Sequence, residues 1–352
     1  MAHIQINKKF WQNKKVFVTG HTGFKGSWLC LILSLLNCKI TGYSLAPTKQ
    51  QKLFNIFKIY KLIKKNYFFD IRDKKKLFNA IQRTKPEIIF HLASQSLVLE
   101  SYKDSYFNFS TNLIGTVNIL EAAKKFKFIK SFVFVTSDKC YTNLNKKKYI
   151  ETDKTQGNID PYSCSKACAE LIVDSYNKSF FKNSKINLAT VRSGNIIGGG
   201  DWSKNRLLPD IMNSIRNDNF LKIRNPQSTR PWLHILDSLY GYIKLAEKLF
   251  VNKNFSGPWN FSPSEKSKNV KTVVDFFKKN TKLKVKFINS KKFKEQNFLN
   301  LSSHKARKIL LWKPKYNLKK SLISTYSWYK NYFNKKDIIQ YSTINIKNYF
   351  KI

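Results

Sequence analysis

Lys15-Val16-Phe17-Val18-Thr19-Gly20-His21-Thr22-Gly23-Phe24-Lys25-Gly26-Ser27-Trp28-Leu29 decides the fold. An apolar run of strand length leads into three glycines spaced three apart, and a second apolar run, Trp28 to Cys38, follows at once. A buried strand, a glycine-rich turn and a helix, in that order, set backbone N–H groups and a helix N-terminus against an anion, where only glycine permits close approach. The turn residues Gly20, Thr22, Gly23, Phe24 and Gly26 are therefore candidates for holding a pyrophosphate.

Outward from that turn, strands and helices alternate. Strands are expected at Lys39 to Ser44, Tyr67 to Phe69, Glu87 to Leu92, Ser131 to Ser137 and Asn187 to Arg192, with helices at Lys74 to Thr84 and Ser110 to Phe126. Such alternation predicts an α/β fold with a Rossmann-like, doubly wound parallel sheet. From Ser193 the pattern turns irregular, which suggests a smaller, interleaved C-terminal substrate-binding lobe. Residues 14–192 form the expected cofactor domain, with 232–250 returning to it; 193–231 and 251–335 form the lobe, and 336–352 a tail without an evident role.

Ligands of such sheets sit beyond the carboxyl ends of the strands. There the chain carries Asp70-Ile71, Leu92-Ala93-Ser94-Gln95 and Thr136-Ser137-Asp138-Lys139. Asp70 can face adenine or cap the next helix. The second strand ends in Gly42-Tyr43-Ser44-Leu45 with no acid for the ribose, so spacing leaves NAD and NADP both open. His91, inside its strand, reads as a core histidine.

Tyr162 and Lys166 lie four apart and so share a helix face. A phenol is a poor base at neutral pH, and a cation one turn away is expected to lower its pKa, so that Tyr162 takes a hydroxyl proton while hydride leaves the same carbon. Ser137 can bond the oxygen that becomes a ketone. Plain alcohol oxidation has no use for Asp138 and Lys139, whereas loss of water beside the new ketone needs an acid at the leaving hydroxyl and help at the α-carbon.

Composition narrows the classes. Of the 352 residues 42% are hydrophobic and 15% aromatic, which excludes disorder. The net charge of +44 would favour polyanions, but Lys is scattered from Lys8 to Lys351 beside much Asn, Ile and Phe, as an AT-rich genome produces. No specific nucleic-acid partner is expected. The five cysteines form no CxxC and no metal site is expected. The run Trp28 to Cys38 is too short to span a bilayer and follows no charged leader, so a cytoplasmic protein without a membrane partner is expected.

VTGHTGFKGSWL (Val18 to Leu29), TSDKCY (Thr136 to Tyr141), DPYSCSKACAE (Asp160 to Glu170), RSGNIIGGGDW (Arg192 to Trp202), RLLPD (Arg206 to Asp210) and RPWLHILD (Arg230 to Asp237) together resemble the extended short-chain dehydrogenase/reductase family of NAD-dependent sugar-nucleotide epimerases and dehydratases. Within it the likeness is to the CDP-glucose 4,6-dehydratase branch, since the dTDP-glucose and GDP-mannose types carry Glu where Lys139 stands. The resemblance implies NAD as cofactor and three steps on CDP-glucose. Tyr162, aided by Lys166 and Ser137, deprotonates the 4-hydroxyl as hydride leaves C4; Asp138 protonates the departing C6 hydroxyl; the hydride returns to C6. Lys139 acts either as a neutral base at C5, the reading favoured here, or as a charged stabiliser of the enolate with water as base.

By the same resemblance Asn195, Arg206, Arg230 and His234 contact the substrate's nucleotide diphosphate. Thr136 lines the cofactor, Asn112 completes a hydrogen-bond chain behind Lys166, and a homodimer forms through the helices bearing Asn112 and Tyr162. Ser96, Leu99 and Cys164 depart from the family's usual Pro, basic residue and Asn. The competing readings are an epimerase, a dehydratase for another nucleotide sugar, or an inactive basic binding protein.

Overall fold

The computed structural model describes residues 6–49, 51–142, 148–288 and 300–352. Seven parallel strands form the central sheet: β1 Lys15–Thr19, β2 Lys39–Ser44, β3 Lys65–Phe68, β4 Ile88–His91, β5 Ser131–Val135, β6 Asn187–Ser193 and β7 Gly257–Phe261, in the order β7-β6-β5-β4-β1-β2-β3. The order reverses between β1 and β4, and the crevice beyond that point is where open α/β sheets bind ligands.

The central strands are apolar on both faces because helices cover both. Val16, Val18, Phe90, Val133, Val135 and Val191 face one core, whereas Phe17, Ile89, Phe132, Phe134 and Leu188 face the other. The first face is covered by α1, Phe24–Leu35, and the second by α2 Lys74–Thr84, α3 Gly115–Lys125 and α4 Pro161–Tyr176. α4 begins where Asp160 caps it, its carboxylate accepting from Ser163 N, with Pro161 in the first turn.

The smaller lobe carries α5, Leu207–Asn217, and three two-stranded patches, among them Thr229–Arg230 antiparallel to Lys268–Asn269. α6, Ile235–Val251, packs on the first face of the sheet, and β7 then completes the sheet from a segment whose sequence suggests the lobe. Pro258 sits in β7 without penalty because β7 is an edge strand. The tail forms α7, Ile338–Phe350, capped by Asp337 and burying Ile346, Tyr349 and Phe350.

Gly20 and Gly26 account for the tight first turn. Gly20 has φ +71°, and a Cβ there would stand 2.7 Å from Ala93 N; one at Gly26 would stand 2.1 Å from the Gly20 carbonyl oxygen. The helix thus starts at Phe24, four residues ahead of the apolar run from Trp28, flush against the loop after β4.

Candidate active site

A cleft of about 610 Å³ opens beyond the carboxyl ends of β1, β4, β5 and β6. Of the sequence-predicted residues, Gly20, Thr22, Gly23, Phe24, Gly26, Asp70, Ile71, Leu92, Ala93, Ser94, Gln95, Thr136, Ser137, Asp138, Lys139, Tyr162, Lys166, Asn195, Arg206 and Arg230 all line it. Asn112 and His234 do not.

The reacting end is built on the turn after β5. Ser137 donates to Asp138 Oδ1 at 3.0 Å, accepts from Lys139 N at 3.3 Å, and its hydroxyl favours the charged form of the Tyr162 phenol. Asp138 is buried and its Oδ2 has no hydrogen-bond partner among the described residues. Burial holds its pKa above the ordinary value, against the pull of Lys139, the Ser137 hydroxyl, Arg230 and Lys25. Lys139 is half-buried on the same turn.

The expected lowering of the Tyr162 pKa is not met in the protein without ligands. Burial pushes the phenol up to about 12, with Ser137 pulling the other way, while burial and the neighbouring Lys25 push Lys166 down to about 7. Lys166 Nζ lies 6.0 Å from the Tyr162 ring centroid and donates to the Val135 carbonyl at 3.4 Å. Both groups sit dry, where each charged form is disfavoured.

Two expected roles need correction. His234 is buried against Tyr316 at 4.8 Å between ring centroids, and its Nδ1 accepts from Leu236 N at 3.3 Å, so it caps α6 and does not face the cleft. Burial pushes its pKa down to about 3 and keeps it neutral. Asn112 grips Gln95 through both backbone groups, at 2.9 and 3.1 Å, and donates to Ser165 at 2.8 Å; no bond to Lys166 is seen among the described residues. It fixes the loop after β4 against α4. Asp70 pairs with Arg72 at 2.7 Å, and the cap of α2 is Asp73.

The arginines diverge in how they are held. Arg230 is buried and donates to the Thr229 carbonyl at 3.0 Å. Arg206 pairs with Asp201 at 2.9 Å and reaches Ser96 Oγ at 3.3 Å. Asp201 is in turn bonded through its carbonyl by the Tyr329 hydroxyl.

Sequence reasoning missed the ion pair beneath the turn. Arg192 meets Glu170 at 2.7 and 2.9 Å, Glu170 accepts from Thr136 and from Thr190 (2.9 Å), and Arg192 donates to the Tyr141 hydroxyl at 2.9 Å. Both charges lie inside quoted motifs, in otherwise small or apolar surroundings, which was the available signal. Lys25 was missed too, although a cation in the first turn of α1 is unusual for a helix N-terminus. Among the described residues no three His, Cys, Asp or Glu side chains gather as metal ligands.

The arrangement offers a glycine cradle, a hydroxyl–phenol–amine set and a carboxyl whose pKa burial raises. A family model described as GDP-mannose 4,6 dehydratase matches residues 17–325. The CDP-glucose 4,6-dehydratase of Salmonella typhimurium is 41% identical over 98% of this chain and 98% of its own. The UDP-glucose 4-epimerase of Mycoplasma genitalium is 24% identical over 91% of this chain and 97% of its own. Among solved structures, the dTDP-glucose 4,6-dehydratase of Bacillus anthracis in complex with NAD superposes with TM-score 0.77 at 22% identity, covering 93% of this chain and 99% of that one.

Proposed function

The chain belongs to the GDP-mannose 4,6-dehydratase family, and on that footing we propose that it converts CDP-glucose into CDP-4-keto-6-deoxy-glucose and water, in the making of deoxy sugars for surface polysaccharides. The observation that carries this reading is Asp138. A buried carboxyl with one unpartnered oxygen and a raised pKa, one residue from Ser137, is a general acid in waiting. Oxidation or epimerisation at C4 has no use for it.

The cleft fits NAD: the positive φ of Gly20 and the missing Cβ atoms of Gly20 and Gly26 leave backbone N–H groups bare at the start of α1. Gly20, Thr22, Gly23, Phe24, Gly26, Asp70, Ile71, Leu92, Ala93, Ser94, Gln95 and Thr136 would hold it, Asn112 acting through Gln95. When bound, NAD takes up a hydride from sugar C4 and gives it back at C6. Tyr162 accepts the 4-hydroxyl proton, Lys166 favouring the phenolate once an anionic ligand restores its charge. Ser137 donates to the oxygen as it becomes a carbonyl. The new ketone acidifies C5–H, Lys139 acts at that proton, and Asp138 protonates the C6 hydroxyl as it leaves as water. Arg206 and Arg230 pair with the diphosphate, Arg by its planar fork, and Asn195 lies beside them.

Residues 14–192, joined by 232–250, serve the cofactor in this reading, 193–231 and 251–335 the nucleotide sugar. The protein works as a cytoplasmic homodimer without nucleic-acid or membrane partners; among the described residues no helix is long and apolar enough to cross a membrane.

The test incubates purified protein and NAD with CDP-, dTDP-, UDP- and GDP-sugars and follows the alkali-induced absorbance of a 4-keto-6-deoxy product. CDP-glucose should react, and Asp138→Asn should lose on the order of 10²-fold or more in water release. No turnover of any of the sugars overturns the reading.

A further inference from the structure

The cleft continues past the diphosphate arginines to an unassigned pair of opposite charges. Arg206 stands just before α5 and Asp210 in its first turn, while Arg224 follows the strand Leu221–Ile223, and all three line the cleft with Tyr162, Asp138 and Arg230. With the hexose at Tyr162 and the phosphates at Arg206 and Arg230, a nucleoside diphosphate sugar is left Asp210 and Arg224 for its base.

Asp210 stands in the first turn of α5 with its backbone N–H spent on the Arg206 carbonyl at 3.0 Å, and the Asn205 backbone N–H favours its charged form. Burial, helped by Asp201 and opposed by that N–H and by Arg224, brings its pKa up to about 6, so at neutral pH it is an ionised acceptor. Arg224 follows the buried Ile223 of the strand Leu221–Ile223, and its five donors have no hydrogen-bond or ion-pair partner among the described residues. The two charges face one cleft without closing on each other.

We propose that Asp210 and Arg224 read the base, Arg224 donating to the ring carbonyl that all pyrimidines share and Asp210 accepting from the exocyclic amine that only cytosine presents. Uracil and thymine put a carbonyl at that position, so an ionised carboxylate there meets a second acceptor and repels it. Arg224 holds the ring, and Asp210 selects it. This assignment rests on the nucleotide-sugar reading of the cleft given above.

Calorimetry with NAD present and CDP, UDP, dTDP and GDP as ligands tests it without requiring turnover. Wild-type protein should favour CDP over UDP and dTDP roughly 10- to 100-fold. Asp210→Asn, whose amide can donate to a carbonyl, should shrink the CDP:UDP ratio at least tenfold, whereas Arg224→Gln should weaken all three pyrimidine nucleotides alike. If Asp210→Asn no longer binds NAD, Asp210→Ser takes its place. A CDP:UDP ratio unchanged within twofold overturns the proposal, as does a wild type that prefers GDP or has no preference. Turnover of CDP-glucose with an unchanged ratio sinks the base assignment alone; a collapsed ratio without turnover of CDP-glucose sinks the reaction and leaves the assignment standing.

Discussion

Asp138 and Lys139 are neighbours on one turn held under opposite conditions, the carboxyl buried and the amine half in water. Protonated acid and deprotonated base are what elimination of water asks of them. Lys139→Met tests both roles left open at once. It should abolish exchange of the C5 proton with solvent deuterium, read by NMR, while some C4 oxidation persists as reduced-nicotinamide absorbance. Exchange at the wild-type rate would remove Lys139 from the chemistry in either role. At this scale the reacting residues were legible because hydroxyl, carboxyl, phenol and amine stood at strand-end and helical spacings. His234 was not, since a residue type does not say whether its ring turns to a cleft or back onto its own helix start.

Among elements, α7 is the one whose importance sequence concealed. Its apolar residues are interrupted by Asn, Lys, Ser and Thr, and its burial depends on partners far along the chain: Trp328 donates to Ser342 at 2.9 Å, and Tyr349 donates to Asp237 in α6. Asp237 also accepts from Lys315 N at 2.6 Å, and burial brings its carboxyl from the usual 3.8 up to about 6. A raised folded-state pKa gives stability that is whole below about pH 4 and is lost as pH climbs through about 6. Asp237→Asn keeps an oxygen for both donors and carries no charge. Above pH 7 it should therefore be more stable than wild type by up to about 3 kcal/mol, and thermal melts from pH 4 to 8 should converge at the acid end. Parallel curves would show that Asp237 does not titrate with folding. By contrast α2 was legible to the residue and β5 to within two residues at its end, because period 3.6 and a continuous apolar run say directly which faces are buried. β7 was hidden by its Gly257-Pro258 start, which reads as a turn until an edge position excuses the proline.

For the whole molecule, the exposed apolar residues Tyr106, Ile114 and Leu171 stand on the helices around Asn112 and Tyr162, at 80%, 49% and 58% exposure. Exposed apolar surface of that kind suits a two-fold dimer, in which one surface meets its own copy. Sedimentation equilibrium should give twice the chain mass of 41.3 kDa, and Leu171→Glu should shift it toward the monomer; a wild-type monomer would rule the dimer out. The net charge of +44 is no obstacle to such pairing when screening acts over about 8 Å in physiological salt.

The cradle that makes room for a phosphate is one case of something written across the chain. Only 12 of 352 residues are glycine, about half the ordinary share of roughly 7%, in a composition leaning to Lys, Asn, Ile and Phe. A Cβ would fall within 3.0 Å of another atom at ten of those positions; Gly23 would meet one at 3.3 Å, and Gly257 has φ +92°. The glycines of this chain are therefore a map of where the backbone has no space to grow.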